Sequence, residues 1–424
     1  MRIHIRNPKL LLPEGDGFAV READLFIDGE TIAAIGAAPE GFAPDRVIEG
    51  KDRLVIPGLV NAHTHNYMTL FRNLADDVPF EEWLFRRVMP REDEMTPEDA
   101  YWGATLGIME MLRTGTTCFN DMQMHIHQTC QAAVDAGIRA SIGRGLSGDA
   151  GEEGGIRRLR EAEEEMDRWE DEPLLTFTVA PHAPYSCTGA YLKEALALAK
   201  RRGLPLHIHL SESTSEVENL RREQGMSPIA WAELLGLFTV PIIVAHCAKV
   251  DTEDIRLLAN PNVSVATNPA SNMKLGNGFA PVPQMLAASV NVCLGTDGAA
   301  SNNSLNLFRE MALLTLIHKG VTGDAEAVSA VQTLKCATEN GARALGLGDR
   351  IGQIREGYQA DLAILDLNCP QLVPENNIIS SLTYSANGSE VETVIVRGEI
   401  VMEKREFTRI DEERVYYEAR ARMK

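Results

Sequence analysis

Six polar side chains fall where short apolar runs end. The run Val55-Ile56-Pro57-Gly58-Leu59-Val60-Asn61-Ala62 leads into His63-Thr64-His65. Pro205–Leu210 carries His207 and His209 and is followed by Ser211-Glu212; Pro241–Ala245 runs into His246; Asn291–Gly295 runs into Thr296-Asp297. In an extended chain period two puts His63 and His65 on one face. A lone imidazole in such a place is more often a hydrogen-bonded core residue. Two on one face, joined by a third and by a carboxylate from other strands, suit a divalent transition metal with one position open to water. Such an ion lowers the pKa of its water to about 7.

Side chains so far apart in sequence need a scaffold that brings strand ends together. Between roughly Leu54 and Leu345, eight β-branched or apolar runs alternate with longer helical segments. They are Leu54–Ala62, Thr117–Asp121, Ile138–Gly143, Leu174–Ala180, Pro205–Leu210, Pro241–Ala245, Val263–Thr267 and Asn291–Gly295. One intervening helix is clearly punctuated, by Thr96 as N-cap, Pro97 at the first position, Asp99 in the first turn and Gly115 beyond the end. Its Trp102, Leu106, Met109 and Leu112 recur at helical spacing and are expected to face the barrel. Eight strand–helix units predict an α/β fold, a (β/α)8 barrel over 54–345 with its chemistry at the C-terminal strand ends. The flanks, 1–53 and 346–424, read as short strands and tight turns, with Leu25–Asp28, Gly29-Glu30 and Thr31–Ile35 as a hairpin. Pairing of the flanks into one small sheet is expected, as is a terminal helix within Asp411–Lys424.

The chain has 424 residues, and 41 basic against 61 acidic side chains leave a net charge of −20, which disfavours nucleic acid and anionic membrane as partners. Seven scattered cysteines without a C-x-x-C pair predict neither a disulfide framework nor a cysteine metal cage. With no signal-like or membrane-spanning run, a cytoplasmic location is expected.

The segment Val55 to His65, the His209-x-x-Glu212 motif, His246 and Gly295-Thr296-Asp297 together resemble the amidohydrolase superfamily. Within it, Asn268-Pro269-Ala270-Ser271-Asn272-Met273-Lys274-Leu275 and Gly295 to Asn303 look like the deaminases of 5′-methylthioadenosine and S-adenosylhomocysteine. The resemblance covers nearly the whole chain and implies that the terminal strands form a β-sandwich beside the barrel. It implies His63, His65, His209 and Asp297 as ligands of one divalent metal per chain, zinc first, with iron, manganese or nickel also compatible. Glu212 becomes the proton shuttle, His246 lies beside the attacking water, and Asp297 also accepts that water's proton. It places Trp83, Glu92, Arg144 and His182 around a small nucleoside substrate: Glu92 on the ribose, Trp83 and His182 against the nucleoside, Arg144 at its far end. Barrels of this group are commonly homo-oligomers.

Two absences narrow the chemistry. The two-metal branch of that superfamily needs a bridging lysine on strand four, where this chain has Thr178-Val179-Ala180-Pro181-His182. The other zinc deaminase class carries H-x-E with P-C-x-x-C, and neither pattern occurs here. A deaminase or chlorohydrolase of guanine, cytosine or an s-triazine is the alternative on the same site; a dead scaffold would be expected to have lost ligands. Of the remaining candidates, His207 is expected to support the ligands, His125 and His127 to lie in a loop, and Arg157 to begin a solvated helix, with a place at the substrate's tail as its alternative.

Overall fold

The computed structural model describes residues 1–422, so the last two residues of the expected terminal helix lie outside it. Eight strand segments follow in chain order: Leu59–Thr64, Thr116–Gln123, Arg139–Leu146, Leu175–Phe177 with Ala180–Pro181, Leu206–Leu210, Ile242–His246, Val263–Thr267 and Asn291–Leu294. The first four pair in parallel, as do the last four. Two seams join the halves into a ring. Val179 N donates to Pro205 O and His207 N to Val179 O, both at 3.0 Å, while Thr296 N and Asp297 N donate to His63 O at 3.1 and 3.0 Å. Inside the ring Val60, Ala62, Cys118, Ile243, Ala266 and Cys293 pack into an apolar floor.

A bulge in the first barrel strand aims its histidines. Asn61 pairs with Phe119 and Thr64 with Asp121, three steps on one strand against two on its neighbour. The extra residue shifts the alternation, so His63 and His65 point inward above a floor made by Val60 and Ala62.

The expected strand Leu54–Ala62 is two strands. Arg53–Pro57 belongs to the flanking sheet, Leu59–Thr64 to the barrel, and Gly58 separates them. A Cβ at Gly58 would come within 2.0 Å of Thr117 Oγ1, so only glycine passes this crossing. The flanks form two sheets where one was expected. A four-stranded sheet holds Arg2–Arg6, Leu25–Asp28, Thr31–Ile35 and Arg46–Glu49. A seven-stranded sheet mixes both ends of the chain, with Leu362–Asp366 antiparallel to Arg53–Pro57 and to Val391–Val396. Ile3, Ile5, Leu25, Ile27, Val55, Leu362 and Ile395 fill the space between the sheets.

Asp361 anchors the barrel to this sandwich. Its carboxylate accepts from Arg139 Nε at 2.9 Å, Arg139 Nη2 at 3.1 Å and the Arg397 amide at 2.9 Å, and its carbonyl accepts from Gly58 N at 2.8 Å. Arg139 opens the third barrel strand, at the end away from the histidines.

The helix Pro97–Arg113 has the expected N-cap at Thr96, which also forms a capping box with Asp99. Its expected inner face is corrected. Trp102 and Met109, flanked by Leu106, pack on Val415 of the terminal helix Glu412–Ala421, while Ala104, Ile108, Met111 and Leu112 join the main core. The helix is buried on two sides, so apolar spacing alone does not say which stripe meets the barrel.

Candidate metal and proton-transfer site

At the C-terminal end of the strands the predicted ligands converge. His63, His65 and Asp297 offer donor atoms within 4.8 Å of one another, and so do His63, His209 and His246. Backbone carbonyls fix two of the ring tautomers. Met122 O faces His65 Nδ1 at 2.8 Å and His182 O faces His209 Nδ1 at 2.7 Å. A carbonyl only accepts, so both hydrogens sit on Nδ1, and the two Nε2 lone pairs face each other at 3.3 Å. Among the described residues His63 Nε2 is buried without a hydrogen-bond partner, 3.4 Å from Asp297 Oδ1. Opposed lone pairs and an orphaned ring nitrogen beside a carboxylate are the arrangement a cation satisfies. Burial pushes the His63 imidazole down to about 4, against the opposing pull of Asp297, and holds His209 well below the ordinary histidine value. Neutral imidazoles are what a metal ligand needs.

Asp297 is held as an anion. Burial alone would raise its pKa, but His63 and the other imidazoles outweigh that and hold it well below the usual carboxylate range. Ser271 and Ser301 hydroxyls donate to Oδ2 at 2.7 and 2.8 Å, and Gly298 N donates to Oδ1 at 2.8 Å. Glu212 is the opposite case. Burial, then the charge of Asp297, pushes its carboxyl well above the usual range. Its Oε2 lies 3.8 Å from His246 Nε2, and Asn277 Nδ2 donates to Oε1 at 3.3 Å. His246 is turned toward it by Asn272, whose Oδ1 is 2.9 Å from Nδ1. His246, Asp297 and Ser211 all have positive φ, at 73°, 59° and 53°. Such backbone is held only where the surroundings demand it, and here it aims site residues.

A cleft of about 280 Å³ opens over this cluster. Glu212, His246, Asp297, His65 and His209 form part of its wall, and Phe80, Trp83, Leu84, Phe85, Met68 and Met122 make much of the rest apolar. Of the expected substrate residues, Trp83, Glu92 and His182 line it. Trp83 Nε1 donates to Ala300 O at 3.1 Å, which locks the indole plane. Tyr67 donates to Glu92 Oε1 at 2.5 Å, leaving Oε2 for another donor. His182 shares a hydrogen bond of 2.9 Å with Ser186, and burial pushes it down to about 4, so it is neutral.

Arg144 is not among the cleft residues. Its guanidinium donates to Met124 O and, on the helix Glu153–Arg168 outside the strand, to Glu161 Oε2, both at 2.5 Å. Strand parity explains this: Gly143 packs inward against Thr178 and Ala180, so Arg144 points outward. The cleft arginine is Arg158, which donates to Ser147 O at 3.0 Å. Arg157 is exposed and pairs with Glu161 at 3.5 Å.

Comparison with known proteins agrees with this geometry. The amidohydrolase family pattern matches residues 54–401. The chain belongs to the amidohydrolase family. A 5-methylthioadenosine/S-adenosylhomocysteine deaminase of Caldanaerobacter subterraneus is 45% identical, over 100% of this chain and 98% of its own. A protein of the same name from Moorella thermoacetica is 44% identical over 92% of both chains. Among solved structures, a zinc-bound adenosine deaminase from Xanthomonas campestris superimposes with a TM-score of 0.94 at 36% identity, covering 99% of this chain and 97% of that one. A zinc complex of atrazine chlorohydrolase from Arthrobacter aurescens gives 0.92 at 25% identity over 100% of both.

In this amidohydrolase the supporting histidine is where expected: His207 Nε2 lies 2.8 Å from His63 Nδ1. His127 accepts from Trp169 Nε1 at 3.0 Å on the helix Ile126–Ala136, which also begins beside His125. Neither belongs to the metal-donor groups found among the described residues. Sequence reasoning missed Ser271, Asn272, Asn277, Ser301 and Arg158. Ser271, Asn272 and Ser301 stood inside segments singled out for their resemblance, but their partners appear only in three dimensions.

Proposed function

We propose that this protein is a metal-dependent aminohydrolase. It converts the adenine of 5′-methylthioadenosine, S-adenosylhomocysteine or a related adenosine derivative to hypoxanthine with release of ammonia. The observation that carries the reading is Glu212, a buried carboxyl whose Oε2 lies 3.8 Å from His246 Nε2, beside the facing imidazole nitrogens of His65 and His209. His63, His65, His209 and Asp297 would hold one divalent ion, zinc by analogy with the solved relatives. That ion would supply the Lewis acidity that makes water nucleophilic at neutral pH.

The side chains account for the proton traffic. Asp297 accepts the proton of the attacking water. Glu212 delivers its proton to the ring nitrogen next to C6, so charge does not build up on the ring as the new C–O bond forms. His246 Nε2 orients the water and the adduct oxygen. The C6–N bond then breaks as the amino group takes up the proton held by Asp297 and leaves as ammonia, while the adduct hydroxyl returns a proton to Glu212. Trp83 and His182 flank the nucleoside, and the free Glu92 oxygen suits a ribose hydroxyl. For a substrate ending in a carboxylate, Arg158 takes the role first expected of Arg144, since guanidinium matches a carboxylate fork. The atrazine chlorohydrolase neighbour keeps halide hydrolysis of another heterocycle as the second reading.

The deciding assay is ammonia release across methylthioadenosine, S-adenosylhomocysteine, adenosine, 5′-deoxyadenosine, guanine and cytosine, with chloride release from a chlorotriazine alongside. The reading expects the adenosine derivatives to turn over. Turnover of only guanine, cytosine or the triazine would replace it with the alternative.

A further inference from the structure

Glu216 is a buried carboxylate with no part in the proton traffic above. It lies in the first turn of the helix Thr214–Gln224, four residues after Glu212, where the Ser213 side chain accepts from its amide at 3.2 Å. Its side chain turns back out of the helix. Oε1 accepts from Ser211 N at 2.9 Å and Oε2 from Glu212 N at 2.8 Å. Two successive amides aimed at one carboxyl group form a nest, which requires a left-handed residue, and Ser211 supplies it with φ of 53°. Both are buried, so without Glu216 these two N–H groups would have no partner and no water. The same turn decides where the Glu212 side chain leaves the backbone.

We propose that Glu216 is a positioning residue for Glu212. It clamps the backbone that carries the proton-transferring carboxyl, while Asn277 donates to the carboxyl itself. A carboxylate is required because both oxygens must accept. A glutamine accepts through one oxygen and turns its NH2 group against the second amide, and an aspartate is one methylene short. The inference rests on the deaminase reading of Glu212, but its geometry is independent of which purine is bound.

The test is a cycle of Glu216→Gln, Glu212→Gln and the double variant in the zinc-loaded enzyme, with steady-state deamination of methylthioadenosine and zinc content measured for each. Glu216→Gln is expected to lower kcat at least about tenfold with KM changed less than about threefold and one zinc retained, because no ligand moves. A residue acting only through Glu212 adds nothing once Glu212 is gone, so the double variant should be no slower than Glu212→Gln alone. Wild-type kcat in Glu216→Gln, losses that multiply in the double variant, or loss of zinc would each overturn the proposal. If Glu216→Gln does not fold, hydrogen exchange in the wild-type enzyme decides. The amides of 211 and 212 should exchange as slowly as those of the barrel strands, and fast exchange there overturns the clamp. Absence of ammonia release by wild type from every adenosine derivative would count against the deaminase reading alone, since the exchange measurement still stands.

Discussion

Replacing Asp361 with alanine removes the acceptor for three donors, two of them on the buried Arg139 side chain. Arg139 and Asp361 side chains are 2% and 1% exposed. After truncation the guanidinium keeps Gln359 Oε1 at 2.8 Å, while Arg139 Nε and the Arg397 amide lose their partner. Removing one member of a buried pair costs about 3–5 kcal/mol, because the other charge stays buried and uncompensated. With an unfolding entropy of about 2.1 cal/mol/K per residue, a chain of 424 residues has roughly 0.9 kcal/mol/K, so a loss of about 4 kcal/mol lowers Tm by about 4–5 °C. Exchanging both partners, Arg139→Met with Asp361→Leu, should recover most of this, because no charge is then left buried and uncompensated. Urea unfolding of the zinc-loaded protein at 25 °C, followed by circular dichroism, measures each value. The pair lies at the start of the third barrel strand, away from the histidines, so kcat should stay within about twofold of wild type. A loss under about 1 kcal/mol for Asp361→Ala, or a double variant as unstable as the single one, would refute the anchoring argument.

Chelation should abolish deamination and one equivalent of zinc per chain should restore it, and two tightly bound metals per active chain would contradict the single-ion site. Glu212→Gln should lose at least about a hundredfold in kcat while keeping its zinc, and wild-type turnover would remove Glu212 from the mechanism. Arg158→Ala should lower kcat/KM for S-adenosylhomocysteine by about 1.5–3 kcal/mol, with less effect on methylthioadenosine; Arg144→Ala should affect both substrates alike. Burial pushes His318 down to about 4 in the folded chain, below the unfolded value near 6.5. The unfolded chain therefore takes the proton first, and stability is full above pH 6.5 and falls as pH drops toward 4. By pH 5 the loss from this group is up to about 2 kcal/mol, so His318→Leu should flatten that part of the stability curve, and an unchanged slope would reject the assignment.

The metal-site candidates were legible because each stands at the end of an apolar run whose length marks a strand. His63, His65, His209, His246 and Asp297 needed only that and the barrel rule that strand ends meet. Arg144 was misread because following a strand directly says nothing of side. The inward glycines at 143 and 145 carry no hydrophobic signal, so the parity of that strand is not visible in its residues. Gly58 looked like part of one strand because its break is imposed by Thr117 and by the Asp361 carbonyl, both remote in sequence. The double-sided burial of Pro97–Arg113 was hidden for the same reason, since the second surface it meets comes from the last helix.

The seven-stranded sheet has a consequence for the order of synthesis. Arg53–Pro57 is flanked on one side by Lys9–Glu14, available at once, and on the other by Leu362–Asp366, about 300 residues later in the chain. At about 5–20 residues per second the ribosome takes about 15–60 s to deliver that partner. Throughout that interval Leu54, Val55 and Ile56 present an open apolar edge, while the barrel strands emerge one after another beside it. The edge of this early strand therefore closes only with the arrival of Leu362, after the last barrel strand has been made.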